Sequence, residues 1–168
     1  GYGSYRLAYS YDGRVWYGSS SGNTIFDNKA GNIRTCNGVA WNGMMWVAIA
    51  TASNVIAYSY DGITWFAATS ANSILAYKGL CVAWNGTQWI AGGQGPSASI
   101  IYSSDGINWT NSSSAYSRFP TGTQAVAWNG QIWVGGGWST GELAYSPDGI
   151  NWTAATNSIG GSCTGISW

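Results

Sequence analysis

The sequence lacks histidine and is poor in charge, with six lysines and arginines, six aspartates and glutamates, and a net charge of zero. Without histidine, the chain cannot form a Ser-His-Asp triad or a Cys-His nucleophile. The basic residues are scattered, whereas nucleic-acid binding depends on clustered lysines and arginines that neutralise phosphates. No apolar run approaches the roughly 18 residues of a membrane-spanning helix. We therefore expect neither a nucleic-acid partner nor insertion into a membrane.

Cysteine is scarce and odd in number. Cys36, Cys81 and Cys163 cannot form a complete set of intrachain disulfides, and without a Cys-x-x-Cys pair or histidine neither a metal site nor another cofactor is expected. Cys36 and Cys163 each precede a repeated tryptophan by five residues, which leaves open a disulfide between neighbouring units. We favour free, partly buried thiols at these two positions, and we expect Cys81 to lie in the core.

Glycine and tryptophan, by contrast, are abundant, and 45% of the residues are hydrophobic, which argues against disorder. Much of the chain is one repeated unit. The element Ser-x-Asp-Gly-x-x-Trp has its Asp-Gly pair at residues 12, 61, 105 and 148, and the phrase Val-Ala-Trp-Asn-Gly begins at Val39, Val82 and Val126. Two independent phrases with a shared period of 43 to 49 residues predict a repeat architecture.

Each unit is predicted to contain four short strands, called a to d, because Asn-Gly and Asp-Gly between apolar runs are typical of hairpin turns. In one unit, strand a ends at Trp41 and strands b, c and d surround Trp46, Tyr58 and Trp65. Four strands in about 43 residues is the size of a propeller blade. The predicted fold is an all-β propeller of about four blade-sized repeats in one domain, 1–168. The repeats span 8–56, 57–100, 101–143, and 144–168 together with 1–7.

The turns also predict a register. A two-residue turn at Asn42-Gly43 pairs Trp41 with Met44, and a two-residue turn at Asp61-Gly62 pairs Tyr58 with Trp65. One face of each sheet then carries large aromatic side chains and the other carries small ones, so that successive units stack large against small.

The ends of the chain predict a closing blade built from both termini. The chain ends on a copy of strand a, Ile166–Trp168, and begins just before a copy of strand c, Leu7–Ser10. Strand b has no clear copy in this blade. Residues 1–5 could replace it, a neighbouring copy could supply it, or the chain could be a segment of a longer array.

The Ser-x-Asp-Gly-x-x-Trp element resembles the Asp-box of sialidase-like (BNR-repeat) propellers. The whole unit is similar to repeats in predicted propeller proteins of giant viruses, phage tails and secreted microbial proteins. The resemblance implies that each box aspartate caps its turn and each box tryptophan packs between strands. These residues are Asp12, Asp61, Asp105 and Asp148, and Trp16, Trp65, Trp109 and Trp152. The sialidase arginine triad, Tyr/Glu pair and acid/base aspartate have no matching positions in this sequence.

Carboxylates suited to catalysis are correspondingly few. Glycoside hydrolysis usually needs two carboxylates that flank the bond, and only Asp27 and Glu142 lie outside the repeated turns. Both lie in predicted loops of different units. We therefore expect no catalytic residues, and a degenerate glycosidase that uses this pair is the weakest alternative.

Ligand-binding candidates are found where the sequence departs from the repeat. Eleven of the 12 tryptophans occupy repeat positions and are expected to pack between blades, although some could line grooves. The exception, Trp138, lies in a loop beside Ser139, Thr140 and Glu142, and an indole near hydrogen-bonding groups suits a sugar.

A second candidate cluster lies in a loop between strands d and a. It consists of Tyr116, Arg118 and Phe119. For both clusters, local packing of the loop is the competing interpretation. The polar turn residues are expected to be structural, and they are Asp12, Asp61, Asp105, Asp148, Asn42, Asn85 and Asn129.

An aromatic-rich, nearly uncharged scaffold without a catalytic set predicts a non-catalytic binding module. We expect it to recognise a glycan or a protein through its loops, and to be extracellular, secreted or virion-associated. The alternative is a structural or assembly role, in which a homo-oligomer or repeats of a parent chain complete the ring.

Overall fold

A computed structural model of the chain describes residues 5–27, 35–138, 143–156 and 161–167. These residues form an all-β structure of one two-stranded hairpin and three four-stranded antiparallel sheets. The N-terminal hairpin consists of β1 (Ala8–Tyr9) and β2 (Tyr17–Gly18). In each four-stranded sheet, strands adjacent in the sequence are neighbours in space, which gives a simple meander.

The three sheets follow one another along the chain. The first contains β3 (Thr35–Trp41), β4 (Trp46–Thr51), β5 (Ile56–Ser59) and β6 (Phe66–Ala67). The second contains β7 (Lys78–Trp84), β8 (Trp89–Gln94), β9 (Ile100–Ser103) and β10 (Thr110–Asn111). The third contains β11 (Thr123–Trp128), β12 (Trp133–Gly137), β13 (Leu143–Ser146) and β14 (Thr153–Ala154).

These sheets confirm the predicted all-β class and the predicted strands a to d in three successive units. Each sheet runs from strand a to strand d, so it is offset from the repeat boundaries, which begin at strand c. The N-terminal hairpin corresponds to strands c and d of a further unit, because Ala8 and Tyr9 occupy the repeat positions of Ala57 and Tyr58.

The predicted register of the hairpins was wrong. Trp41 pairs with Trp46 rather than with Met44, and Tyr58 pairs with Phe66 rather than with Trp65. The reason is the side chain that begins each turn. The Oδ1 atom of Asn42 accepts hydrogen bonds from the N–H groups of Met44, at 2.9 Å, and of Met45, at 2.7 Å. Those N–H groups are therefore unavailable to the strand ladder, and the turn is wider than two residues.

The core lies between successive sheets. Between the first and second sheets, Val47 and Ile49 pack with Trp89 and Trp109. Each of the first three linkers from strand d to the next strand a adds one large apolar side chain to such a layer. These fully buried residues follow α1 (Ser20–Ile25), a 3-10 helix (Thr69–Ala71) and α2 (Ser113–Tyr116), and they are Phe26, Leu75 and Phe119.

A serine in each of these three linkers also binds the next Asp-box. The Trp65 N–H donates to Ser21 Oγ at 3.0 Å, and the Ser21 hydroxyl donates to the Ile63 carbonyl at 3.1 Å. Ser70 and Ser114 accept in the same way from the N–H groups of Trp109 and Trp152. Each unit is thus joined to the next by apolar packing and by hydrogen bonds at a fixed repeat position.

Candidate functional site

The four box aspartates each hold a turn together, as the sequence predicted. The Oδ1 atom of Asp61 accepts from the N–H groups of Ile63, at 2.8 Å, and Thr64, at 2.7 Å, and from the Ser59 hydroxyl at 2.9 Å. The Ser59 Oγ in turn accepts from the Gly62 N–H at 2.9 Å. The same bonds to Oδ1 recur at the other three boxes. These carboxylates are thus engaged in local structure.

The hydrogen bonds change the acidity of the carboxyls. Hydrogen bonds from the Thr64 and Ile63 N–H groups lower the pKa of Asp61 from 3.8 to about 2. At Asp105 and Asp148, partial burial opposes the effect, but the hydrogen bonds to each carboxylate still lower its pKa to about 2. The folded state therefore favours the charged form of each box aspartate.

Acid is expected to weaken the fold through these aspartates. Because their folded pKa lies below the unfolded value near 3.8, their stabilising effect is complete above about pH 4 and is lost as the pH falls towards 2. The melting temperature, followed by near-ultraviolet circular dichroism between pH 5 and pH 2, should fall across this window. Asp105→Asn should make that fall shallower, and an unchanged fall would contradict the assignment of the acid sensitivity to the boxes.

The asparagine turns are also structural, as predicted. Asn85 Oδ1 accepts from the N–H groups of Thr87 and Gln88 at 2.9 and 2.7 Å. Asn129 Oδ1 does the same for Gln131 and Ile132, as Asn42 Oδ1 does for Met44 and Met45. All seven predicted turn residues therefore have intrachain hydrogen bonds.

Of the two remaining carboxylates, the structure describes only one. Asp27 is exposed after α1, and Glu142 lies outside the described residues. Within the described ranges, no group of three or more histidine, cysteine, aspartate or glutamate side chains could hold a metal ion.

The first predicted ligand cluster is described only at Trp138. Ser139, Thr140 and Glu142 lie outside the described residues. Trp138 is half-buried, and the Lys78 ammonium lies 4.6 Å from the centre of its ring. One face of this indole is thus covered by a cation from the neighbouring sheet.

The second predicted cluster is divided between the surface and the core. Arg118 is exposed and Tyr116 is half-buried, but Phe119 is fully buried with its ring 6.0 Å from that of Trp152. This corrects the expectation for Phe119. Its ring fills the layer between the second and third sheets and presents no surface to a ligand.

The cysteines are free thiols, with Cys163 buried and the other two partly buried. Burial raises the pKa of Cys36, and burial raises the pKa of Cys81 to about 12. The disulfide between Cys36 and Cys163 that the sequence left open is not formed in the structure.

The expectation that repeated tryptophans pack between blades holds for only some of them. The box tryptophans Trp65, Trp109 and Trp152 are 3–5% exposed, whereas Trp16 at the same repeat position is 63% exposed. Trp41 is also 42% exposed, and Trp168 lies outside the described residues.

Trp16 and its neighbours border a cleft between the N-terminal hairpin and the first sheet. Its volume is about 340 Å³. The hairpin contributes residues 7–11 and Trp16, and the sheet contributes Val39, Trp46, Trp65 and residues 61–63. Tryptophan and tyrosine rings thus form much of the wall of an apolar, solvent-open groove, a feature that neither predicted loop cluster included.

Among the described residues, no strand b is present at the junction between the hairpin and the first sheet, and the cleft lies in that space. At the junction between the first and second sheets, strand b of the first sheet fills the equivalent space. A methyl group added to Gly106 would lie 3.1 Å from Met45 Cε and 3.1 Å from Val47 Cγ2. At the repeat-equivalent Gly62, the three nearest atoms all belong to Trp46, at 3.4 to 4.0 Å. Among the described residues, the hairpin supplies nothing that takes the place of Met45 and Val47.

Trp16 is 63% exposed, whereas other box tryptophans are covered by a residue of the linker that precedes them, as Phe26 covers Trp65 and Phe119 covers Trp152. In the first three linkers, the residue ten positions after the box tryptophan is large, apolar and fully buried. These residues are Phe26, Leu75 and Phe119. In the fourth linker, the residue ten positions after Trp152 is Ser162, which is exposed. The fourth linker therefore differs from the other three at this position, and this difference can be found in the sequence once the repeat is aligned.

The chemistry of the cleft is mainly aromatic and apolar. Aromatic rings bind the apolar faces of sugars or the apolar side chains of a peptide. The nearest charged group on its wall, Asp61, has its Oδ1 atom engaged by Ser59, Ile63 and Thr64.

Comparison with known protein families finds no family model that matches the chain, and comparison with curated proteins finds no significant match. Among the described residues, no helix has the length and apolar composition needed to cross a bilayer.

Proposed function

We propose that the chain is a non-catalytic recognition module that binds a glycan or a protein ligand in the aromatic cleft between the N-terminal hairpin and the first sheet. The observation that carries the proposal is the exposure of Trp16 beside Tyr9 and Trp46 in a groove of about 340 Å³. Aromatic side chains in a preformed groove are characteristic of ligand-binding sites. A secreted or virion-associated location is part of the same proposal.

The absence of catalysis in this proposal is supported by the state of the carboxylates. Four of the six acidic side chains hold turns through hydrogen bonds to their own backbone. A carboxylate held in its charged form with a pKa of about 2, as at Asp61, is a poor proton donor near neutral pH.

The scaffold that we propose is a four-unit β-propeller whose closing blade combines both ends of the chain. Its support is the position of the C-terminal segment. The Cys163 N–H donates to the Gly137 carbonyl at 3.0 Å, and Cys163 packs against Gly136 of β12. Thr123, the first residue of β11, packs in the same way against Gly92 of β8. The segment thus lies where strand a of a fourth sheet is expected.

The test compares variants at one repeat position. Tyr9→Ala and Trp16→Ala change the cleft, whereas Tyr145→Ala changes an exposed tyrosine at the position equivalent to Tyr9 but on the third sheet. On a glycan array and an array of synthetic peptides, the cleft variants should bind about tenfold more weakly or worse, because buried aromatic anchors dominate binding energies. The Tyr145 variant should bind as the unchanged protein does. No ligand on either array, or equal binding by all variants, would reject the cleft as the site.

A structural or assembly role is the second candidate, and one observation favours it. Val39 and Trp41 of β3 are 51% and 42% exposed, whereas Val126, equivalent to Val39 on β11, is buried. An apolar strand left uncovered at the first sheet is a surface on which a further unit could pack. Light scattering of the purified chain tests this role, since a monomer that unfolds cooperatively would contradict obligate assembly.

A further inference from the structure

The cleft has the shape of a missing β-strand, because the corresponding space at two other junctions of this chain is filled by one. At the junction of the first and second sheets, Met45 and Val47 of the first unit lie over Gly106. At the junction of the second and third sheets, Gln88 and Ile90 of the second unit lie over Gly149. In both cases, alternate residues along strand b or just before it point into the junction.

The hairpin presents an edge to which such a strand can pair. β1 pairs with β2 on one side, and within the described residues no strand pairs with its other side. The Leu7 carbonyl accepts from the Ser19 N–H on the β2 side at 2.9 Å. Because peptide groups alternate along a strand, the N–H and carbonyl of Ala8 are directed towards the open edge.

Trp16 of the hairpin is exposed at the position where a strand b would cover its ring. At the third sheet, a methyl group added to Gly135 of β12 would lie 3.1 Å from the Trp152 ring, so the box tryptophan packs over strand b of its own sheet. The hairpin has no strand b among the described residues, and Trp16 is accordingly 63% exposed.

We propose that the cleft binds an extended polypeptide segment that pairs antiparallel with β1 and directs alternate apolar side chains into the groove. This inference rests on the proposed recognition function and specifies the ligand as a peptide strand. It is a case of β-augmentation, in which the main chain supplies affinity and alternate side chains supply specificity.

The internal junctions define the side chains that the segment needs. Strand b pairs with strand c so that Val47 faces Tyr58, Ala48 faces Ala57 and Trp46 faces Ser59. Transferred to β1, this register places an aliphatic β-branched residue opposite Tyr9 and a small residue opposite Ala8. The aliphatic side chain enters the groove, and the small residue leaves room for the Trp16 ring.

The experiment uses the intact chain and a labelled synthetic peptide of residues 85–94, which contains the strand b of the second sheet and is the most polar of the three copies. Fluorescence anisotropy should show saturable binding. Quenching of tryptophan fluorescence by acrylamide is measured with a peptide that carries Trp89→Phe, so that the signal comes from the protein alone. The quenching should decrease when this peptide binds, and the decrease should be smaller in the Trp16→Phe variant because Trp16 is the exposed reporter.

Two altered peptides test the mode of binding without changing the protein. Ile90→Asp should bind at least about tenfold more weakly, because it places an unpaired charge in an apolar groove. A peptide methylated on the backbone nitrogen of Ala91, the residue that faces Ile101 at the position of Ala8, should also bind at least about tenfold more weakly, because it loses a main-chain donor.

The outcomes separate the inference from the proposed function. Equal binding by the N-methylated and unmodified peptides would overturn strand pairing. A glycan that binds and depends on Trp16, with no binding by any of the peptides, would overturn the peptide strand while supporting the cleft as a recognition site. The failure of both peptides and glycans to bind would reject both proposals.

Discussion

Replacement of Trp152 by alanine is expected to lower the free energy of unfolding by about 3–5 kcal/mol, the usual cost of removing a large buried aromatic side chain. Trp152 is 3% exposed and packs with Phe119 and Gly135 between the second and third sheets. Its Nε1 donates to the Gly149 carbonyl at 3.1 Å. The substitution removes this layer's central ring and opens a cavity that β-sheets on either side can close only in part.

Trp16→Ala is the matched control, because it makes the same chemical change at the same repeat position. Its side chain is 63% exposed, so the expected cost is within about 0.5 kcal/mol. Urea denaturation followed by circular dichroism measures both variants. Equal destabilisation by the two variants would show that Trp16 is packed like the other box tryptophans. It would contradict an open cleft beside Trp16.

Gly149→Ala is expected to cost about 3 kcal/mol. Gly149 adopts φ +72°, a left-handed conformation that costs other residues roughly 1–2 kcal/mol. An added methyl group would also lie 2.7 Å from Ile90 Cδ1 and 2.8 Å from Gln88 Oε1, so the ends of these two side chains would have to shift. Overpacking of this kind adds roughly 1–3 kcal/mol.

Gly13→Ala separates the cost of backbone strain from the cost of overpacking. Gly13 has φ +73° in the equivalent turn of the hairpin, but an added methyl group would have no atom within 4 Å. Only the backbone strain of roughly 1–2 kcal/mol is expected there. Urea denaturation of the two variants provides the comparison. A cost at Gly13 as large as that at Gly149 would mean that overpacking against the second sheet does not contribute to the destabilisation.

The turns could be predicted from the sequence because their interactions are local. Ser59, Asp61 and the N–H groups that they bind lie within a few residues of one another, so one short phrase specifies the whole arrangement. The register could not be predicted by the same rule. Asn42 uses its side chain to bind two N–H groups that a two-residue turn would leave for the strands, and the choice between these partners depends on the three-dimensional turn.

The candidate site was harder to predict than the fold. Trp138 was selected because it departs from the repeat, yet its ring is half-buried beneath Lys78. Trp16 belongs to the repeat and was therefore expected to be buried. A tryptophan at a repeat position is covered only if its neighbours are also present, and the signal that could have identified Trp16 is the lack of a strand b phrase between residues 1 and 16 of the printed sequence.

The sequence by itself determined the repeated units, the four strands of each complete unit and the capped turns, because these depend on short phrases that recur along the chain. Only the tertiary structure decided what happens at the first junction. There, no residue in the part of the chain that the structure describes takes the place of Met45 and Val47. Identical box residues acquire different exposure because burial depends on the neighbouring unit and not on the phrase itself. The aromatic cleft beside Trp16 is the result of that difference.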